Sequence, residues 1–86
     1  MKTILAIFRS RSETLAFANI LKSYGENVNI INTPRSANVS CGISAKFSAS
    51  GLRIASQIIA RRNFFTFAGF FEVQSGNSKE ILLRRI

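Results

Sequence analysis

The residues able to do chemistry in this 86-residue chain are few, and one stretch gathers them. Cys41 is the only cysteine and Pro34 the only proline, and both lie in Thr33–Gly42 between two apolar runs. An ionised thiol is a nucleophile. A lone one forms no internal disulfide and, with no histidine in the chain, no zinc site. There is also no aspartate, and the glutamates, Glu13, Glu26, Glu72 and Glu80, stand at no spacing that pairs two carboxylates. A hydroxyl nucleophile would have no His/Asp helper here. No metal, no cofactor and no enzymatic turnover are expected.

The elements that must position Cys41 read as follows. Thr3–Arg9 is apolar on both faces, as in a buried central strand. Ser10–Glu13 has the form of a capping box, and Phe17, Ile20, Leu21 and Tyr24 then give one apolar helical face that Gly25 stops. Val28–Asn32 is a strand ended by Pro34. Gly42–Ser48 alternates, with Ile43, Ala45 and Phe47 inward and Ser44, Lys46 and Ser48 toward solvent. Ser50-Gly51 opens a second helix to about Arg62, and Phe64–Val73 is an aromatic-rich strand. After the turn residues Gln74–Ser78, Glu80–Ile86 closes a hairpin. The order predicts an α+β, ferredoxin-like split β-α-β (βαββαβ) two-layer sandwich with an additional C-terminal strand forming a hairpin. It is a single domain over 1–86, with 3–74 the core and 75–86 the terminal hairpin strand. The first apolar run is too short for a signal peptide and no run is long enough to span a membrane, so a cytoplasmic protein with no membrane partner is expected.

In that topology one end of the sheet collects Arg9, Ser10, Arg11, Pro34, Arg35, Cys41 and Gly42. Arg61, Arg62, Arg84 and Arg85 are expected at the same end. Guanidinium groups and a helix N-terminus favour a thiolate, and Gly42 leaves room for amides to approach an anion. Cys41 then reads as a reactive thiol, with Arg9, Ser10, Arg11, Arg35 and Gly42 binding an anion or partner and Pro34 shaping the loop. The competing reading is a small buried hydrophobe at the start of a strand. Twelve Lys and Arg against four acidic residues give a net charge of +8. That favours anionic partners, nucleic acid included, though it equally serves solubility. Phe64, Phe65, Phe67, Phe70 and Phe71 are candidates for stacking on bases, but Phe67–Phe71 lacks the basic-Gly-aromatic pattern of RNA-binding sheets. A sheet with helices on one side only also predicts a homodimer, through the uncovered face.

Several segments together resemble a known family. They are Ala6-Ile7-Phe8-Arg9-Ser10, Glu13-Thr14-Leu15-Ala16-Phe17, Ile30-Ile31-Asn32-Thr33-Pro34-Arg35 and Ser40-Cys41-Gly42-Ile43-Ser44-Ala45. Over about residues 3–70 the chain is similar to the selenium/sulfur (Se/S) carrier protein-like family of small bacterial domains. The resemblance implies a signature of Pro34, Arg35, Cys41 and Gly42. It further implies Cys41 as a persulfide or selenopersulfide carrier, with donor and acceptor proteins as partners. The C-terminal hairpin and the charge of +8 depart from the family pattern.

Overall fold

The computed structural model of the chain describes residues 2–37, 40–75 and 81–86. Within them lie β1 (Thr3–Phe8), α1 (Arg11–Ser23), β2 (Asn29–Asn32), β3 (Ile43–Ser48), α2 (Leu52–Arg61), β4 (Phe67–Ser75) and β5 (Ile81–Arg85). Short 3-10 turns occupy Arg35–Ala37 and Ala49–Gly51. The strands form one sheet in the order β2-β3-β1-β4-β5, with every neighbouring pair antiparallel. The architecture is α+β. The expected turn Gln74–Ser78 is strand as far as Ser75, and its remainder lies outside the described residues.

β1 is the centre, and Ile4 to Phe8 are each no more than 1% exposed. Its two faces are covered differently. Ile4, Ala6 and Phe8 join Phe17, Ala18 and Leu21 of α1, Ala55 and Ile58 of α2, and Ala45 and Phe47 of β3 in one core. Phe17 is its hub, with ring centroids 5.3 Å from Phe8, 6.0 Å from Phe64 and 6.3 Å from both Phe47 and Phe70. Phe64, Phe67 and Phe70 pack against this core. These phenyl groups therefore serve burial, and the expectation that they stack on bases loses its support. Phe65 stays exposed.

The helical stripe differs from its sequence reading. Thr14, Phe17, Ala18 and Leu21 are the buried residues of α1, while Tyr24 is 59% exposed. The spacing i, i+3, i+4, i+7 holds, but it starts from Thr14. A threonine can occupy a core position because its hydroxyl finds a partner one turn back, here the Ser10 carbonyl at 2.9 Å. The capping box is half made. Ser10 Oγ accepts from the Glu13 amide at 3.2 Å, whereas the Glu13 carboxylate is engaged elsewhere.

The second face carries no helix, yet it is not bare. Register places Leu5 beside Lys46 and Phe71, and Ile7 beside Ser44 and Gly69, and directly opposed residues share a face. Leu5, Ile7 and Ser44 are all fully buried. Ser44 was expected to face solvent, and it is buried because the Thr33 hydroxyl bonds to it at 2.5 Å. The cover comes from the chain itself. β2 and β5 are opposite edges of the sheet, but the 3-10 turn that follows β2 packs against β5. The segment after β2 thus reaches over this side, and burial of Leu5 and Ile7 requires no second subunit.

Phe17→Ala tests the hub. Emptying a fully buried phenyl site costs about 3–5 kcal/mol. That is a large part of the ~4–13 kcal/mol stability of a domain this size. Urea unfolding followed by circular dichroism is expected to show a midpoint collapse of that order.

Candidate functional site

The Thr33–Gly42 loop is fixed at its base by backbone and hydroxyl bonds. Thr33 N–H donates to the Gly42 carbonyl at 3.0 Å, and Cys41 N–H donates to the Phe8 carbonyl at 3.2 Å. Ser40 Oγ donates to Thr33 Oγ1 at 2.7 Å, which shares its bond with Ser44 Oγ. Gly42 sits at φ +103°, and a Cβ there would meet nothing within 4 Å. Its need for glycine is therefore conformational, not steric. The Gly42 amide donates to Ser40 Oγ at 2.7 Å. Pro34 closes the next turn, its carbonyl accepting from Ala37 N–H at 3.1 Å.

Cys41 is half-buried. Among the described residues its Sγ has two hydrogen-bond partners, Thr14 Oγ1 at 3.5 Å and the Ile43 carbonyl at 3.6 Å. Neither is a guanidinium. Thr14 has one hydroxyl hydrogen and two neighbours for it, the sulfur and the Ser10 carbonyl. With a thiol, S–H can donate to Ile43 or Thr14 while Thr14 donates to Ser10. With a sulfur anion, the Thr14 hydrogen can turn to the sulfur, and Ser10 keeps its backbone bond from Thr14 N–H at 3.1 Å. Thr14 is not among the sequence-based candidates, because an isolated threonine in the first turn of a helix carries no recognisable motif. Its position three residues before Phe17, on the core stripe, was the available signal.

Glu13, also in that first turn, ties α1 to the start of β4. Its carboxylate accepts from Thr66 Oγ1 at 2.6 Å, Thr66 N–H at 2.9 Å and Phe65 N–H at 3.1 Å. These bonds engage the Phe65 and Thr66 amides just before β4, which starts at Phe67 and not at Phe64. The Thr66 hydroxyl above all, with the Thr66 and Phe65 amides, holds the Glu13 pKa below its ordinary 4.5 against a smaller opposing effect of burial.

The expected arginine cluster resolves into separate places. Arg9, whose amide donates to the Thr66 carbonyl at 2.9 Å, follows the Phe8 that holds Cys41, and its side chain is exposed. Arg11 opens α1, also exposed, three residues before Thr14. Arg35 is exposed on the turn packed against β5. Arg84 is paired to Glu72 at 3.2 Å, a carboxylate that Lys2 also reaches at 3.3 Å. Arg85 lies on the loop-covered face, its guanidinium carbon 5.9 Å from the Phe71 ring centroid. Arg61 and Arg62 line an open cavity of about 240 Å³ between the helices, with Ile20, Tyr24, Ile54, Gln57 and Ile58. Ser10 caps α1 and shares a bond with Ser12. What converges on the sulfur is thus the first turn of α1 and the start of β3.

Among the described residues no group of three His, Cys, Asp or Glu gathers to hold a metal, and no helix is long and apolar enough to cross a membrane. A family model described as "Putative Se/S carrier protein-like" matches residues 3–71. The match includes Pro34, Arg35, Cys41 and Gly42 and ends inside β4, leaving β5 beyond it. No curated protein and no solved structure matches the chain.

Glu13 gives a test by pH. Its folded pKa is lowered, so its contribution to stability is fully present above pH 4.5 and is lost as pH falls through the folded value. Glu13→Gln is expected to lower stability at neutral pH and to flatten the acid limb below pH 4.5, read as melting temperature against pH. An unchanged acid limb contradicts this account.

Proposed function

The chain belongs to the Se/S carrier protein-like family, and on that premise we propose that it carries sulfur or selenium on Cys41 between a donor and an acceptor protein. One observation carries the reading. The half-buried Cys41 Sγ, inside the matched span, faces a buried hydroxyl that can donate to it once it is an anion. The β-α-β-β-α-β order with helices on one face supports a ferredoxin-like framework for the site, extended by β5.

In the loading step the Cys41 thiolate attacks the outer sulfur of a donor persulfide. A new S–S bond forms, the donor's own S–S bond breaks, and the donor sulfur leaves as a thiolate. The outer sulfur becomes the terminal atom of a Cys41 persulfide, and the proton released from Cys41 passes to solvent or to the departing thiolate. Delivery is the same exchange, with an acceptor nucleophile attacking that terminal sulfur. No external oxidant or reductant is needed, because sulfane sulfur moves between thiols without a change in the electron count of the pair. Selenium follows the same path through a selenopersulfide.

This chain supplies position and charge. Thr14 stabilises the anionic sulfur by one hydrogen bond, and Cys41 N–H to Phe8 keeps the residue on the end of the central strand. The exposed Arg9, Arg11 and Arg35 give this end of the molecule a positive field that draws acidic partners. Turnover belongs to the donor and acceptor, and the chain is a carrier. A cytoplasmic setting, where thiols stay reduced, suits that role.

Incubation with a cysteine desulfurase and cysteine, followed by intact-mass spectrometry, tests the proposal. One adduct of about 32 Da, a single sulfur atom removable by dithiothreitol, is expected on the wild type and not on Cys41→Ser. Thr14→Val keeps the shape and removes the hydrogen bond. It is expected to slow loading about fivefold, the worth of roughly 1 kcal/mol. An unloaded wild type, under conditions that load another protein thiol, overturns the assignment.

A further inference from the structure

We propose that β5, the strand outside the family match, positions the Cys41 loop from the far side of the sheet. The strand order separates β2 from β5 by three strands, so the segment after β2 has no reason of pairing to meet β5. It nevertheless packs there through Arg35–Ala37, the turn that follows Pro34. The loop therefore has two supports. The base is tied at Cys41 N–H to Phe8 and at Thr33 N–H to Gly42. The outgoing leg rests on β5.

Arg85 is the β5 side chain we assign to the platform. Register sets it opposite Phe71, hence on the face of Leu5 and Ile7. Its guanidinium lies over Gly69, where an added Cβ would come within 3.2 Å of Arg85 Cζ and Nε. Gly69 is the β4 partner of Ile7 and adopts φ +140°, next to the bulge where the register shifts between Ile7 and Phe8. The absence of a side chain at Gly69 leaves the room that the Arg85 guanidinium occupies. Ile86 N–H, bonded to the Phe70 carbonyl at 3.0 Å, carries the pairing to the end of the chain. Arg84 points to the other face, to Glu72, and serves as an internal control.

Losing this platform frees Arg35–Ala37 and leaves the loop held only at its base, by the bonds of Thr33 and Cys41, so that the thiol samples more open states. Iodoacetamide alkylation of Cys41 reads that opening directly and needs no sulfur transfer, so the result stands apart from the carrier assignment. Three variants are compared: a chain ending at Ser75, Arg85→Ala and Arg84→Ala. The expected result is a rise in alkylation rate of about tenfold for the shortened chain and about threefold for Arg85→Ala. Hydrogen exchange at Arg35–Ala37 is expected to quicken in parallel, and Arg84→Ala to stay near wild type on both measures. Rates within twofold of wild type for Arg85→Ala overturn the proposal. Equal rises in Arg84→Ala and Arg85→Ala also overturn it, because they report general loosening of the sheet. If the shortened chain does not fold, the two point variants decide.

Discussion

A strand with no exposed side chain has to be covered twice, and in so small a chain two covers are hard to supply. β1 meets this demand with helices over Ile4, Ala6 and Phe8, and with a reaching loop over Leu5 and Ile7. Much else follows from it. α1 must turn Phe17 and Leu21 toward the strand, which brings its first turn, with Thr14, to the end where Phe8 finishes. The loop must leave β2 and come back to β3 at that same end, which brings Cys41 onto the Phe8 carbonyl. The meeting of Thr14 and Cys41 is thus a by-product of covering both sides of one strand.

Much of the frame was legible in the residues. The apolar run Ile4–Phe8 announced a strand buried on both faces, Ser10 announced a helix start, and Gly25, at φ +89°, a helix end. Each signal is local, set by side-chain pattern or by a backbone angle only glycine adopts easily. The errors came where a polar residue found a distant partner. Ser44 looked solvent-facing because alternation cannot foresee the Thr33 hydroxyl eleven residues earlier. Thr14 was not singled out, and its sulfur partner lies 27 positions further along the chain. Glu13 was read as a cap, and its bonds to Thr66 span 53 positions of sequence.

The site shows the same division. Pro34, Arg35, Cys41 and Gly42 were recognisable as a set because they stand in one loop. The expected convergence of arginines was a statement about which end of the sheet each would reach, and ends are too coarse. Arg84 and Arg85 are adjacent in sequence but lie on opposite faces, one held by Glu72 and the other laid over Gly69 and Phe71. Alternation of side chains along β5 separates them.

The place of β5 in the sheet has a consequence for how molecules of this chain meet one another. Without it β4 would be the outermost strand, and its Phe71-Glu72-Val73-Gln74-Ser75 run would offer unpaired amides and carbonyls. Such an edge invites addition of a foreign strand and, from there, aggregation. With β5 in place the sheet ends on one side at four-residue β2, bounded by Asn29 and Asn32, and on the other at a strand finishing in Arg84-Arg85. A short edge strand on one side and clustered positive charge on the other disfavour strand-to-strand growth. That stretch of β4 is thereby moved inside its own sheet.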